Sequence, residues 1–172
     1  MPDYTHVIAV DPGYTESAIV TIDVTVWPPH VQETFLDSNC ELIRRIRGWA
    51  GITGVSMVVE QIQSYQNYIG RETLDTWFWA GRFVEVWGGP WDTIARPTIK
   101  GLLCGSAKAK DKDVRQALID LYGPTKQQAI GLKASPGQLY GLKSHLWAAL
   151  AVGVAYLMQQ RRAAEELTKG GE

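Results

Sequence analysis

Residues 7–13 read VIAVDPG, an uninterrupted apolar run that ends in Asp11 and a Pro-Gly turn. Residues 55–60 read VSMVVE, a second apolar run that ends in Glu60. Runs of this kind are typical of strands that are covered on both faces of a sheet. The sequence therefore predicts two buried strands, each of which closes with a carboxylate.

The segment between these two strands predicts a meander followed by a helix. Residues 17–26 are rich in β-branched side chains, and residues 31–36 form a third strand after two prolines. Ser38 and Glu41 have the spacing of a capping box, so a helix begins there. Short connections favour antiparallel pairing of the first three strands. The helix then crosses back and places the fourth strand parallel to the first.

The chain after Glu60 predicts three more helices and one more strand. A helix over residues 72–87 leaves Trp79 available to a partner subunit and has an apolar side made of Leu74, Trp77, Phe78, Gly81 and Val84. The remaining elements are a strand at residues 93–95, before Pro97, a helix at residues 112–122, and a last helix from near Ser144, a good N-cap residue. We expect one domain over residues 1–160 and a frayed tail over residues 161–172.

Asp11 and Glu60 are expected to meet at one edge of this sheet. The carboxyl ends of parallel strands lie side by side, and open sheets bind ligands there. Carboxylate oxygens are ligands that Mg²⁺ accepts, and two such ions roughly 4 Å apart can promote hydrolysis of a phosphodiester. The alternative is structural: Asp11 caps the Asp-Pro-Gly turn, and Glu60 is a surface residue that ends a strand.

The charged residues are unevenly distributed along the chain. A formal net charge of −1 gives no global attraction to nucleic acid. Residues 96–143 nevertheless carry nine basic side chains against three acidic ones. This excess predicts a surface that contacts phosphate, and a mixed solvated surface is the alternative. The candidate DNA contacts are Arg96, Lys100, Lys108, Lys110, Lys112 and Arg115.

Composition and cysteine spacing argue against several classes of protein. Cys40 and Cys104 belong to no paired metal-ligand spacing, which indicates reduced side chains. The first residues have no signal-peptide pattern. The longest weakly polar run, residues 146–158, is well short of the roughly 20 residues that span a bilayer. We therefore expect a cytoplasmic protein, in a bacterial cell or a phage-infected host, that does not enter a membrane.

Three segments resemble the motifs of the RuvC-type Holliday junction resolvases, in the same order and with similar spacing: residues 8–13, 58–61 and 144–152. Gly105-Ser106-Ala107 and the lysines that follow resemble the DNA-binding segment of that family. The resemblance covers about residues 5–158 and suggests a phage-like member. It implies an α/β, ribonuclease H-like fold, with a five-stranded mixed sheet of order 3-2-1-4-5 flanked by helices.

The resemblance also implies an activity and a set of site residues. Its members are homodimeric endonucleases that cleave four-way DNA junctions with Mg²⁺ or Mn²⁺. Carried over by position, Asp11 and Glu60 are metal ligands, and His145 is a further ligand or activator. Tyr65 and Tyr68 fall in a polar loop where aromatic rings can stack on bases that are unpaired at the junction centre. Packing beneath that loop is the alternative for both tyrosines.

One position departs from the family pattern. The third motif of the family has an acidic residue where this chain has Ala148, and a methyl group cannot hold a metal. Three explanations stay open: a subgroup that manages without this acid, an engineered inactivating substitution, or a natural junction-binding protein that cuts weakly or not at all. An actin-like or sugar-kinase-like ATPase also begins with Asp-x-Gly, but such proteins need a second domain for which 172 residues leave no room.

Overall fold

The computed structural model describes residues 3–63 and 69–169, and its centre is a five-stranded mixed sheet. The strands are β1 (His6–Asp11), β2 (Glu16–Asp23), β3 (His30–Ser38), β4 (Val55–Gln61) and β5 (Trp91–Ala95). Their order in the sheet is β3-β2-β1-β4-β5. The first three strands pair antiparallel, whereas β4 runs parallel to both β1 and β5. Both the strand order and the mixed pairing confirm the predicted sheet.

Helices cover both faces of this sheet. They are α1 (Asn39–Trp49), α2 (Arg71–Trp87), α3 (Arg96–Cys104), α4 (Asp111–Tyr122), α5 (Lys126–Ala129) and α6 (Leu146–Lys169). A two-residue hairpin, β6 (Gly131–Leu132) and β7 (Ser135–Pro136), lies between α5 and α6. The predicted start of α1 is confirmed, because the Ser38 hydroxyl accepts a hydrogen bond from the backbone N–H of Glu41.

Alternation along the strands divides the core into two layers. Val7 and Ala9 of β1 belong to the layer that α3, α4 and α6 cover. Ile8 and Val10 belong to the opposite layer, which α1 and α2 cover. Successive side chains of a strand point to opposite faces, so every odd-numbered position of β1 faces α6.

Close packing of α6 on the sheet depends on Gly153. A Cβ atom at this position would lie 2.9 Å from both Ala9 Cβ and Ile22 Cδ1, closer than carbon atoms normally approach. Glycine therefore lets the helix axis approach β1 and β2. We predict fraying from residue 161, whereas α6 continues as helix to Lys169 with exposed side chains over this last part. None of the helices in the described residues is both long enough and apolar enough to cross a membrane.

The inward face predicted for α2 is wrong in the first half of the helix, whereas Val84 in the second half packs against the core. Leu74, Trp77 and Phe78 are 49%, 39% and 61% exposed, respectively. Phe83 and Trp87 are the buried residues of the helix, and Trp79 packs against Phe83 instead of facing outward. Only the second half of α2 buries side chains against the sheet layer, so the apolar residues of its first half stay exposed. The helical spacing of apolar residues could not distinguish the two halves.

Helix α3 was absent from the predicted element order. The predicted end of the fifth strand at residue 95 is confirmed, but Pro97 lies in the first turn of α3, which follows directly. A proline is well tolerated at this position, since the first N–H groups of a helix have no partner within it. The consequence for the site is that Arg96 is the first residue of a helix that follows directly from β5.

Candidate active site

Asp11 and Glu60 lie at matching positions of the two central parallel strands. Val10 of β1 is paired with Val59 of β4, and the next residue of each strand is the carboxylate. Ala9 and Val58 both belong to the layer beneath α6. Because side chains alternate along a strand, Asp11 and Glu60, two residues further on, face that same side. The predicted convergence of these carboxylates at one sheet edge is thus consistent with the strand register.

A buried hydrogen-bond network holds the turn after Asp11. The backbone N–H of Gly13 donates to the Ser17 hydroxyl at 2.9 Å, and that hydroxyl donates to Asn39 Oδ1 at 2.6 Å. Asn39 Nδ2 closes the network by donating to the Gly13 carbonyl at 2.9 Å. A Cβ at Gly13 would lie 2.2 Å from the Glu16 carbonyl oxygen, so the turn requires glycine. These contacts fix the direction in which β1 delivers Asp11.

His145 is placed against Asp11 by the turn that precedes α6. Its Nδ1 lies 3.1 Å from Asp11 Oδ2. Ser144, immediately before it, has a left-handed φ of 45°, an unfavourable conformation for a residue with a side chain. Such strain persists where the surrounding structure stabilises it, often at functional sites. Helix α6 begins only at Leu146, so Ser144 shapes this turn instead of being the last residue before the helix.

Burial affects the ionisation of both strand-end carboxylates. Removal from water raises the pKa of Asp11, and the charges of His145 and Arg96 oppose that shift only in part. Burial also raises the pKa of Glu60, which Arg96 opposes and the neighbouring Asp11 charge reinforces. The charge of Asp111 also raises the pKa of both carboxylates, so a cation nearby is needed for these acids to stay ionised together.

Among the described residues, Arg96 provides a positive charge beside Glu60 and Asp111. Its Nη1 donates to both Glu60 oxygens, at 3.1 and 3.0 Å, and its Nη2 donates to Asp111 Oδ1 at 2.9 Å. Lys100, one helical turn further along α3, lies 3.4 Å from the same Asp111 oxygen. Partial burial works against ionisation of Asp111, but these two basic side chains lower its pKa.

These groups line one cavity of about 340 Å³ between the sheet edge and α3, α4 and α6, called here the Asp11–Glu60 cavity. Arg115 contributes to its wall and stacks its guanidinium 4.6 Å above the ring of the buried Trp147. Ala148 also faces the cavity, so the missing acid would have pointed into it. The charged and polar lining residues among those described are Asp11, Glu60, Arg96, Lys100, Asp111, Arg115, Ser144 and His145.

Some of the predicted site residues lie together in the cavity, and others lie elsewhere or outside the described residues. Asp11, Glu60, His145 and Ala148 share the cavity, and three of the predicted DNA contacts, Arg96, Lys100 and Arg115, line it as well. The other three predicted contacts are exposed, on the connection from α3 to α4 or in the first turn of α4: Lys108, Lys110 and Lys112. Tyr65 and Tyr68 lie outside the described residues, so their predicted stacking role stays a prediction.

Sequence reasoning missed Asp111 as a member of the site. In the sequence it is one of the three acidic residues between positions 96 and 143, which reduce the net positive charge of that segment. Its place in the cavity follows from where α4 begins relative to α3, which no local motif encodes. The one available signal was its position at a helix start, where an acidic residue is common for structural reasons.

No protein-family model and no curated protein sequence matches the chain. Among solved structures it is similar to Thermus thermophilus RuvC, with a TM-score of 0.66 and 17% identity, covering 92% of this chain and 96% of that one. It is also similar to T. thermophilus RuvC in complex with a Holliday junction substrate, with a TM-score of 0.67 and 17% identity over 93% and 97% of the two chains.

The chain has the RuvC-type, ribonuclease H-like fold. This agrees with the fold that the sequence motifs implied. At 17% identity the likeness concerns the fold alone, and the chemistry has to be argued from the side chains of this chain.

The donor groups fit one divalent cation better than two. Asp11 and Glu60 offer carboxylate oxygens of the kind that Mg²⁺ accepts, and His145 offers an imidazole nitrogen. Both Glu60 oxygens are engaged by Arg96, and Ala148 offers no ligand. Within residues 3–63 and 69–169, no three His, Cys, Asp or Glu side chains are grouped closely enough to hold a metal ion. The described side chains therefore offer few free ligands for the second of the two ions that could promote hydrolysis of a phosphodiester.

Proposed function

We propose that this protein is a structure-selective endodeoxyribonuclease that hydrolyses phosphodiester bonds in branched DNA, with the four-way junction as its substrate. The observation that carries the proposal is the convergence of Asp11 and Glu60 on one cavity whose walls also carry Arg96, Lys100 and Arg115. Carboxylates can hold a divalent cation, and the basic side chains can hold the phosphate that the cation activates. These carboxylates and basic side chains would together supply the groups that a phosphodiesterase needs.

The cofactor we propose is Mg²⁺ or Mn²⁺, which the carboxylates of Asp11 and Glu60 would hold, with His145 beside Asp11. When bound, such an ion supplies Lewis-acid stabilisation of the charge that develops on the scissile phosphate. The Asp11 carboxylate orients the His145 ring through the contact at Nδ1, which leaves Nε2 free to exchange a proton with the reacting groups. Lys100 and Arg115 contact the phosphate backbone on either side of the cut.

Recognition of branched DNA is supported by two observations. A structural neighbour of the same fold is solved in complex with a Holliday junction substrate. In this chain, Lys112 lines a second depression of about 220 Å³ together with Arg115 and Lys126, beside the Asp11–Glu60 cavity. Arg115 belongs to both, so basic side chains run continuously from the cavity along α4. We propose that a duplex arm of the junction follows this surface. We also propose that the protein acts in the cytoplasm, where such DNA occurs.

A symmetric junction calls for two cuts, and we propose that the protein acts as a homodimer through the first half of α2. Leu74, Trp77 and Phe78 are exposed there, and Trp91 at the start of β5 is 54% exposed. Trp77 and Trp91 line an apolar groove of about 350 Å³ between α2 and the sheet edge. Aromatic residues concentrated on one surface are typical of subunit interfaces.

The second candidate is a junction-binding protein that cuts weakly or not at all. It is favoured by Ala148, which supplies no carboxylate, and by Arg96, which already neutralises Glu60. The basic surface would serve this function equally well. The two candidates differ in whether bound DNA is cleaved.

The test incubates the protein with a synthetic four-way junction, a linear duplex and a single strand, with Mg²⁺, Mn²⁺ or EDTA. We expect preferential junction binding and metal-dependent nicks that Asp11→Asn abolishes. Asp120→Asn is the matched control, because Asp120 is exposed on α4 and does not line the cavity. Junction binding without cutting would select the second candidate. Neither binding nor cutting would remove both.

A further inference from the structure

Arg96 sits where its own helix does not favour a positive charge. It is the first residue of α3, whose first turn contains no acidic residue. Cations are disfavoured at a helix start, because the unpaired N–H groups there carry partial positive charge. Glu60 of β4 and Asp111 of α4 stabilise the guanidinium instead. The position of the Arg96 side chain is thus set by its ion pairs with Glu60 and Asp111 and not by its own helix.

The contacts of Arg96 resemble those of a bridging cation. One guanidinium nitrogen contacts both oxygens of Glu60, and a second nitrogen contacts Asp111. A guanidinium is planar, permanently charged and well suited to carboxylate and phosphate oxygens. Arg96 is 40% exposed, so one edge of the group remains accessible from the cavity. A phosphate that enters the cavity would meet this positive charge.

The formal charges that line the cavity already cancel. Among the described lining residues, three carboxylates, on Asp11, Glu60 and Asp111, face three basic side chains, on Arg96, Lys100 and Arg115. Residues 64–68 contain no charged side chain in the sequence. Two divalent ions and one phosphate would therefore leave three positive charges uncompensated, whereas one ion and one phosphate leave one. Repulsion between like charges is strong in a partly desolvated cavity.

We propose that this chain uses a single divalent ion, held by Asp11 and Glu60, and that Arg96 supplies the second positive charge to the scissile phosphate. The inference rests on the proposed nuclease function and deepens it. In the absence of DNA, Arg96 and the ion compete for the oxygens of Glu60. When DNA binds, the guanidinium turns from Glu60 to the phosphate, and Glu60 becomes available to the ion.

This arrangement predicts effects of opposite sign when Arg96 is removed. Arg96→Met frees Glu60, so the ion should bind the DNA-free protein about tenfold more tightly or better. The same substitution removes a charge that stabilises the transition state, so junction cleavage should fall by about 10²-fold to 10³-fold. Arg96→Lys keeps a charge but has one nitrogen in place of the two that bridge Glu60 and Asp111, and it should lie between wild type and Arg96→Met in both measurements. A purely structural role for Arg96 would not strengthen ion binding.

The experiment counts Mn²⁺ ions per subunit on the full chain without DNA, by electron paramagnetic resonance of free Mn²⁺ and by calorimetry. We expect one ion on the wild type and on Arg96→Met, and two on Arg96→Met/Ala148→Asp, in which a further carboxylate replaces the guanidinium. Arg115→Met is the matched control, because it removes the same charge from the cavity without freeing Glu60. It should strengthen Mn²⁺ binding less than Arg96→Met does.

The outcomes separate this inference from the proposed function. Two Mn²⁺ ions on each wild-type subunit would overturn the single-ion proposal and leave the nuclease proposal intact. Unchanged or weaker Mn²⁺ binding by folded Arg96→Met would also overturn it. If Arg96→Met does not fold, the wild-type count and Arg96→Lys decide the question. Absence of Mn²⁺ binding and of junction cleavage in the wild type would overturn both proposals.

Discussion

Replacing Ala148 with aspartate adds one carboxylate to the lining of the Asp11–Glu60 cavity. Without a metal ion the new charge is repelled by Asp11, Glu60 and Asp111. Part of that cost is offset because residue 148 lies in the first turn of α6, where a negative charge contributes about 0.3–1 kcal/mol. We estimate a net cost of about 1 kcal/mol, which lowers Tm by roughly 2–4 °C in a domain of this size.

A divalent ion should reverse this effect. Two unit charges about 4 Å apart interact by about 4 kcal/mol at an effective dielectric constant near 20. Even a third of that, after discounting for solvent, makes ion binding about tenfold tighter. At an ion concentration about 10 times the wild-type Kd, binding stabilises the wild type by about 1.4 kcal/mol and the variant by about 2.7 kcal/mol. The metal-induced rise in Tm should therefore be roughly 3–5 °C larger for Ala148→Asp.

The assay is thermal unfolding in EDTA and across a Mn²⁺ titration, with two controls. Ala148→Asn has a similar shape without the charge, and Ala163→Asp adds the same charge on the exposed distal part of α6. If Ala148→Asp and Ala163→Asp respond equally to Mn²⁺, the cavity does not bind the ion, and the reasoning fails. Measured on a four-way junction, strong cleavage gained by Ala148→Asp would identify the natural chain as a weakened nuclease.

The other predictions concern packing, pH and assembly. Gly153→Ala places a methyl group 2.9 Å from Ala9 and Ile22, so unfolding experiments should show a loss of about 1–3 kcal/mol, whereas Gly48→Ala, with no neighbour within 4 Å, should gain up to about 1 kcal/mol. Tyr122→Phe removes a 2.6 Å hydrogen bond to the Pro29 carbonyl and should cost about 1 kcal/mol at neutral pH. Burial raises the pKa of Tyr122, so the folded state favours the neutral phenol. This contribution to stability is complete below about pH 10, where the unfolded chain is also protonated, and is lost as the pH rises further. The difference in the free energy of unfolding between wild type and Tyr122→Phe should therefore shrink above about pH 10. Phe78→Glu should change the free energy of unfolding of an isolated subunit by no more than about 0.5 kcal/mol, because Phe78 is exposed. The same substitution should convert a dimer to monomers in sedimentation velocity. A dimer that survives it would place the interface elsewhere.

The central part of the site could be predicted from sequence because it depends on strand pattern. Two apolar runs that each end in an acid specify two buried strands, and a single crossover makes those strands parallel. Equal register then places Asp11 beside Glu60 on the α6 side of the sheet. His145 needed the family resemblance, because nothing local shows that the turn at Ser144 brings it to Asp11.

The features that sequence did not reveal depend on how helices pack. The sequence predicts Arg96 only as a DNA contact, whereas its pairing with Glu60 depends on α3 starting directly at the end of β5. Asp111 reaches the same guanidinium only because α4 begins beside α3. The exposed face of α2 follows from which half of that helix lies over the sheet. Such tertiary relationships leave little trace in residue spacing.

Anomalous diffraction from crystals grown with Mn²⁺ and a four-way junction would test the cation site most directly. We predict one strong peak per subunit, about 2.1–2.4 Å from carboxylate oxygens of both Asp11 and Glu60, and its loss in Asp11→Asn. A well-ordered complex with no peak in the Asp11–Glu60 cavity, or with Mn²⁺ bound at a place that excludes these two residues, would contradict the proposed chemistry.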